Sequence, residues 1–396
     1  MVDKILKRDR YKDLHYLLLC FAFTIPLSRF LSVRVLILLL LFSFFIRGGK
    51  GYLSKLLNQS WDILLYLSVL IIGLLYSEEL PPGLRVIETS LSLFVLTLVF
   101  SKFKDFDKKH LHKVFYAFAS GLLVACLICL VNASYAYSQS GNFNVFFFDE
   151  LTGIIDSQPT YLAYYLIAVI TFGLYWVYYE KINFSPILIV VFLLFFFLML
   201  MLTGGLTAFV SVLFIFSFFV LKFLLEEKNK MQTLTFGIVV FMIICMFVLS
   251  NINLKEKNDY WERFVLWESA LKATPDIMWG VGTGDHYKVL NQYYLSHGLS
   301  KFASSSYNSH NQFIEILFSN GLIGVLSLLF LLGRPLYLSV RNQNLLGTLI
   351  FFPFVIYGMT EVFLGRYQGV VLFALLHQSF VTHYLTHKPS FSLKDV

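Results

Sequence analysis

Charge is what this sequence has least of. Asp, Glu, Lys and Arg make up only 14% of the 396 residues, against 58% hydrophobic ones. A soluble chain of this length could not hide that much apolar surface. The apolar runs do not alternate with polar residues, which argues against a β-barrel. No small-residue cleavage site follows the first run, which comes after Lys4, Lys7, Arg8, Arg10 and Lys12 and leads at once into a second run. It is therefore expected to be a retained helix rather than a signal peptide. Cysteine is scarce too. Cys20, Cys126, Cys129 and Cys245 all fall inside apolar runs. Cys126 and Cys129 have CxxC spacing, but no His or acidic ligand stands near them, so ordinary buried cysteine is favoured over a metal or redox pair. Internal repeats, Gly/Ser linkers and low-complexity tails are absent.

What is present is a series of runs near the roughly 20 residues that cross a bilayer as a helix. They predict helices at about 14–28, 31–46, 61–77, 84–100, 111–136, 159–178, 184–202, 205–224, 232–250, 312–333, 344–363 and 366–384. The expected fold is an all-α integral membrane protein of about 12 transmembrane helices, one membrane domain over 1–396, with one large external loop over 251–311. Twelve spans put both termini on one side. With that side cytoplasmic, most of the 31 Lys and Arg fall there, including Arg47, Lys50, Lys55, Lys102, Lys104, Lys108 and Lys109, as the positive-inside rule requires. The loop around Asp149, Glu150 and Asp156 has no Lys or Arg, as expected outside. The net charge of +7 is thus an orientation signal, and no nucleic-acid partner is expected.

The external loop has its own pattern. Tyr260, Phe264, Trp267 and Leu271 recur at helical spacing between Asp259 and Ala273, with Glu262, Ser269 and Lys272 opposite, and Pro275 stops the helix. An amphipathic helix on the outer membrane surface is predicted, with Trp261 and Trp267 at headgroup depth and Arg263 at the edge of the apolar face, where it can meet a phosphate. Gly280, Gly282 and Gly284 alternate through Trp279–His286. Without a preceding strand they suit a tight turn better than a nucleotide site. A short helix at about 287–297 is expected, with Gly298 as its cap. Lys301 to Ser309 is expected as a polar, flexible segment leading to His310.

His310 stands where the loop returns to the membrane. One reading is an interfacial histidine at a helix start. The other is a base, since histidine is the side chain best suited to proton transfer near neutral pH. Glu315, Arg85, Glu88, Glu361 and Arg366 lie at the same membrane level. Ionisable groups there are expensive and usually face the bundle interior, so either structural ion pairs or an externally open polar cavity is expected. His286, His297 and His310 match no compact metal-ligand spacing, and no metal site is expected.

At these residues the chain resembles the O-antigen ligase and polymerase superfamily. Ser309-His310-Asn311-Gln312-Phe313-Ile314-Glu315, followed by Asn320-Gly321-Leu322-Ile323-Gly324, resembles its His-Asn and Gly-Leu-Ile-Gly signature. Arg263 with Trp267, Pro275 and Gly280-Val281-Gly282 resembles the upstream half, giving a ligase-like core over 202–335. The resemblance implies a GT-C-like, inverting, metal-independent glycosyltransferase of the bacterial inner membrane, with the loop periplasmic and no cofactor. It implies transfer of a glycan from an undecaprenyl-pyrophosphate carrier to an acceptor hydroxyl: lipid A–core for a ligase, another carrier-linked repeat for a polymerase of O-antigen or exopolysaccharide. His310 would be the base. Arg263, Arg85, Arg366, Glu315 and Asn311 would bind substrate or shape its cavity, and membrane lipids would surround the carrier. One departure is Leu206, within Thr203-Gly204-Gly205-Leu206-Thr207-Ala208, where such proteins often carry an arginine for the lipid pyrophosphate. A flippase or transporter remains the non-catalytic alternative; it would need polar groups at mid-bilayer, which look scarce here. A scaffold that has lost activity is the other.

Overall fold

Helices account for the architecture. A computed structural model describes residues 2–46, 51–179, 186–225 and 258–386, with residues 237, 240 and 243 singly between the last two stretches. In chain order the helices are α1 (Val2–Thr24), α2 (Arg29–Phe44), α3 (Tyr52–Leu75), α4 (Leu80–Phe100), α5 (Lys108–Ser140), α6 (Phe148–Thr152), α7 (Pro159–Tyr179), α8 (Pro186–Thr203), α9 (Leu206–Leu225), α10 (Asn258–Lys272), α11 (His286–Ser296), α12 (Ser300–Ser304), α13 (Gln312–Arg341), α14 (Leu345–Gly358) and α15 (Tyr367–Thr386). No strand occurs among the described residues. α3, α4, α5, α7 and α13 are long and apolar enough to cross a bilayer, and α8, α9 and α14 carry shorter apolar stretches. The protein is an all-helical, multi-pass integral membrane protein. The run expected at 232–250 lies outside the described residues apart from those three.

Local chemistry sets the helix ends. Asp107 accepts from the amide of His110 at 2.9 Å and starts α5, which Gly141 ends in a left-handed conformation. Proline occupies the first turn of α4, where its missing N–H costs nothing. α14 stops at Gly358, five residues before the expected end at 363. Thr360 and Glu361 therefore lie in a turn and not in a span.

α15 and α7 are buried along most of their length, as befits apolar helices at the centre of a bundle. α15 packs on α4, α13 joins α3 to α14, and α1 lies on α5.

The expectation that mid-span charges are scarce needs correction. Asp62 of α3, His377 of α15 and Arg334 of α13 meet in the bundle interior, with Asp62 and His377 fully buried. Asp62 takes Arg334 on one oxygen at 2.5 Å and His377 Nε2 on the other at 2.7 Å. Arg334 also donates to the carbonyls of Asn58 and Gln59. The three residues are far apart in sequence, each isolated in an apolar run, so only the packing shows them as a set. Removing one partner leaves a buried charge uncompensated, which typically costs about 3–5 kcal/mol. Arg334→Met should accordingly lower the melting temperature in detergent sharply, and Asp62→Leu added to it should recover much of the loss. Wild-type melting of the single variant would show that the pair is not stabilising.

α13 is broken at Gly321, with φ 65° and ψ −162°. The broken backbone is completed by the glycine turn of the loop. Phe318 and Ser319 carbonyls accept from the amides of Val281 (2.9 Å) and Gly282 (2.8 Å), and the Leu322 amide donates to Ile277 (2.9 Å). Thr283 and Asn320 tie the turn to α3: Thr283 Oγ1 donates to Leu70, and Asn320 Nδ2 donates to Thr283 Oγ1 at 2.9 Å. Asp285 accepts from the amides of Glu78 and Glu79 and so holds the chain just before α4. The alternating glycines form a docking turn, as the missing strand suggested.

The loop has a small core of its own, formed by Leu266, Ala270, Leu290, Tyr294 and Phe302 with Phe318 of α13. α10 packs on this core through Leu266, Ser269 and Ala270, whereas Phe264 and Leu271 of the predicted apolar face are exposed. Trp267 is partly buried, with its indole N–H enclosed; the side chains of Tyr260 and Trp261 lie outside the described residues. Within the 301–309 stretch, expected as polar and flexible, Phe302 anchors α12 in that core. α11 matches its predicted span within one residue, and Gly298 follows it with φ 72°.

Candidate functional site

The segment before α13 folds on its own side chains. Asn308 accepts from the amide of His310 at 3.0 Å, and His310 takes a left-handed φ of 46°, a conformation uncommon outside glycine. Asn311 then caps α13, accepting from Phe313 (2.9 Å) and Ile314 (3.1 Å) while its Nδ2 donates to the Met359 carbonyl (3.0 Å). Gln312 Oε1 accepts from the Leu364 amide at 2.8 Å. Asn311 and Gln312 thus fasten the start of α13 to the turn after α14.

That fastening brings Glu361 to His310. Nδ1 of His310 lies 3.2 Å from Glu361 Oε2, and Arg263 Nη2 lies 3.1 Å from Glu361 Oε1. Arg263 Nη1 also donates to the Thr360 carbonyl. One carboxylate therefore holds the histidine and the arginine together. Burial pushes the Glu361 carboxyl up, but the hydrogen bonds and charges of His310 and Arg263 outweigh it and hold the group below its ordinary value. A carboxylate only accepts, so Nδ1 of His310 carries a proton, and in the neutral form of the ring Nε2 is the nitrogen that presents a lone pair. Nε2 has no partner among the described residues. His310 and Arg263 side chains each keep 29% of their surface open, so both are reachable.

The remaining predicted residues take different places. Glu315 is buried behind the site, accepting from the Ser309 amide (3.0 Å) and hydroxyl (2.6 Å), with Oε1 3.5 Å from His286 Nε2. It positions the 309–311 turn, and Asn311 does the same from the other side. Neither is an open contact. Arg366, just before α15, is exposed and within electrostatic range of Tyr287. Tyr287 also reaches Asn308, and its hydroxyl is pushed up to about 12, chiefly by burial and then by Glu315. Arg85 stands apart from His310, in a groove between α2 and α4. Thr207 of α9 meets Thr360 at 2.6 Å. The stretch carrying Leu206 therefore does border the site, although the Leu206 side chain lies outside the described residues.

Glu361 is the partner that sequence reasoning placed at the right membrane level but did not join to His310. They are 51 residues apart, and their contact depends on where α14 ends. Thr360 gave no signal of its own. The loop histidines do not converge: His286 Nδ1 faces the Thr283 carbonyl, His297 Nδ1 faces the Tyr293 carbonyl, and His310 faces Glu361. Among the described residues no three His, Cys, Asp or Glu side chains are grouped as metal ligands.

Comparison with known proteins gives one family. Residues 154–329 match the family model described as O-antigen ligase. This region contains α7 to α12, the docking turn, His310 and the break in α13. No curated protein matches the chain.

Proposed function

From the premise that this chain belongs to the O-antigen ligase superfamily, we propose that it is an inverting membrane glycosyltransferase of the bacterial inner membrane. It moves a glycan from an undecaprenyl-pyrophosphate carrier to an acceptor hydroxyl, with lipid A–core as acceptor. The topology that goes with this reading is twelve spans, cytoplasmic termini and a periplasmic 251–311 loop, within one membrane domain whose ligase-like core is 202–335. The observation that carries it is the His310–Glu361–Arg263 arrangement at the point where the loop meets the bundle.

In this reading Nε2 of His310 takes the proton of the acceptor hydroxyl as its oxygen attacks the anomeric carbon. The bond from that carbon to the phosphate oxygen breaks, and the carrier leaves as a pyrophosphate anion with the bonding electrons. Attack from the face opposite the leaving group inverts the anomeric configuration. Glu361 fixes the histidine tautomer, as an orienting carboxylate does in other base-assisted sites. Arg263 spends two contacts on Glu361 and Thr360 and has further N–H groups to turn toward the developing negative charge. Arg366 stands as a second cation at the rim, where it can offset the contact that Leu206 does not make. Glu315 and Asn311 keep the turn in place. These residues perform the reaction without a metal or cofactor.

The purified protein, supplied with carrier-linked glycan and lipid A–core, should form glycosylated core and release the carrier diphosphate, and a chelator should leave the rate unchanged. Lengthening of carrier-linked chains in its place would identify a polymerase. No transfer at all would sink the enzymatic reading and leave a transporter or a scaffold. Arg263→Ala should cost about 10²–10³-fold in kcat/KM for the donor, the range seen when one donor to a developing negative charge is lost. Protein abundance should stay close to wild type. Loss of abundance in step with activity would make Arg263 a folding residue only.

A further inference from the structure

The tip of the docking turn is apolar and uncovered. Ile277, Met278 and Trp279 are 58%, 48% and 52% exposed, and no charged residue occurs from Ile277 to Thr283. The backbone of the tip is nevertheless held. The Met278 amide donates to the Asp276 carboxylate at 2.7 Å, and the Gly280 amide donates to the Asp276 carbonyl at 2.8 Å. The Ile277 carbonyl takes the Leu322 amide, and the Trp279 carbonyl takes the Tyr76 hydroxyl at 2.5 Å. Three large apolar side chains in a row, exposed on a fixed backbone, mark a contact surface.

The bundle gives the height of this tip. Asp62, Arg334 and His377 meet at one level. Counted toward the loop at about 1.5 Å per residue, Gly73 of α3, Gly321 of α13 and Tyr367 at the start of α15 stand roughly 15–20 Å from that level. Counted the other way, Tyr52 and Thr386, the far ends of α3 and α15, stand roughly 13–15 Å from it. The hydrocarbon core of a bilayer is about 30 Å thick, so its boundary on the loop side falls at Gly73, Gly321 and Tyr367. The docking turn is bonded to that same level, through the Gly73 carbonyl, which accepts from the Thr283 amide at 3.2 Å, and through the break at Gly321. The residues that flank the tip there are exposed and largely apolar too: Leu75 and Tyr76 at the end of α3, Leu322 and Leu326 of α13. On a spanning helix, exposed leucines face lipid.

The lipid-facing surface of the two spans thus continues onto the turn. Tryptophan and tyrosine favour this boundary, where the ring enters the acyl layer while its polar atom stays wet. Independently of the transferase reading, we infer that Ile277, Met278 and Trp279 are a bilayer anchor: the three side chains enter the leaflet on the loop side, at the level where acyl chains meet headgroups. Lipid, and not a second copy of the chain, is the occupant because the patch is continuous with the lipid-facing sides of α3 and α13. This anchor takes the place of the one that the spacing of α10 predicts, since Trp267 keeps its indole N–H enclosed. It fastens the loop at one height. The tip is bonded to Leu322, just past the break, and the helical piece before the break leads back to Asn311 and His310.

The test uses the full chain in dioleoylphosphatidylcholine vesicles that also hold a phosphatidylcholine with a diazirine near the headgroup end of one acyl chain. Photolabel should fall on residues 277–279 together with Leu75 and Leu322, and should spare the buried Leu266 and Tyr294 of the loop core. Absence of label from 277–279 overturns the inference. Tryptophan emission gives a second reading. The component lost in Trp279→Phe should fall by about half or more when the vesicles carry phosphatidylcholine brominated at the same depth, and acrylamide should quench it weakly. The component lost in Trp267→Phe should respond little to bromolipid. Trp279→Phe keeps an apolar ring, and its melting temperature should match wild type, because the bond to Tyr76 is made by the backbone. A Trp279 component quenched freely by acrylamide and not by bromolipid places the tip in water. One quenched by neither places it under protein, as a second copy of the chain would. Either result overturns the anchor.

Discussion

His310→Ala should reduce glycan transfer by about 10²–10⁴-fold, the contribution a positioned general base typically makes, with abundance and melting temperature near wild type. The side chain is part exposed and its one side-chain hydrogen bond goes to Glu361, so its removal opens no core cavity. Glu361→Gln should be nearly as damaging, for a reason that follows from the geometry. Arg263 can only donate, so the amide oxygen of the new glutamine turns to Arg263. Its NH₂ then faces His310 Nδ1, which must accept. The imidazole proton moves to Nε2, the atom that has to be basic. Size and shape are conserved, so a loss without unfolding points to the tautomer. The measurement is the single-turnover rate on carrier-linked donor. Rates within a few-fold of wild type in both variants would remove His310 from catalysis. Because the Glu361 carboxyl is held below its ordinary value, its contribution to stability is fully present above the usual glutamate range of about 4.3. It is lost as pH falls through the lowered native value.

Gly321→Ala should be the most destabilising single-carbon change in the loop assembly. At φ 65° and ψ −162° the backbone sits in a region that is essentially glycine-only, and a substituted residue there costs about 1–3 kcal/mol from conformation alone. The added Cβ would also stand 2.1 Å from the Met278 carbonyl oxygen and 2.5 Å from the Trp279 amide. These are backbone atoms with no rotamer by which to move aside. The docking turn must then leave the break in α13, exposing the Phe318 and Ser319 carbonyls that it now satisfies. Expected results are a sharply lowered melting temperature and faster proteolysis between 273 and 300. Gly333→Ala is the control in the same helix, since its Cβ would meet nothing within 4 Å and alanine is the better helix former. Equal melting of the two variants would show that the break is not held by the turn.

Much of this was legible in the residues. Apolar runs against scarce charge determined an all-helical membrane protein, because a bilayer demands long helices with their backbone bonds made internally. The polar 251–311 stretch stood out for the same reason. Helical spacing gave α10, Gly298 gave the end of α11, and His310-Asn311 with Gly321-Leu322-Ile323-Gly324 gave the resemblance. Residue pairs distant in sequence were not legible. Which face of α10 is buried depended on the small core around Phe302 and Tyr294. That Glu361 meets both His310 and Arg263 depended on α14 stopping at Gly358. Asp62, His377 and Arg334 each look like a stray charge in an apolar run. Sequence by itself determined the kind of protein and where its polar groups cluster, since hydrophobicity and turn chemistry act over a few residues. Only the tertiary structure decided which of those groups are partners, because hydrogen bonds and ion pairs form over about 3 Å in space and take no account of separation along the chain.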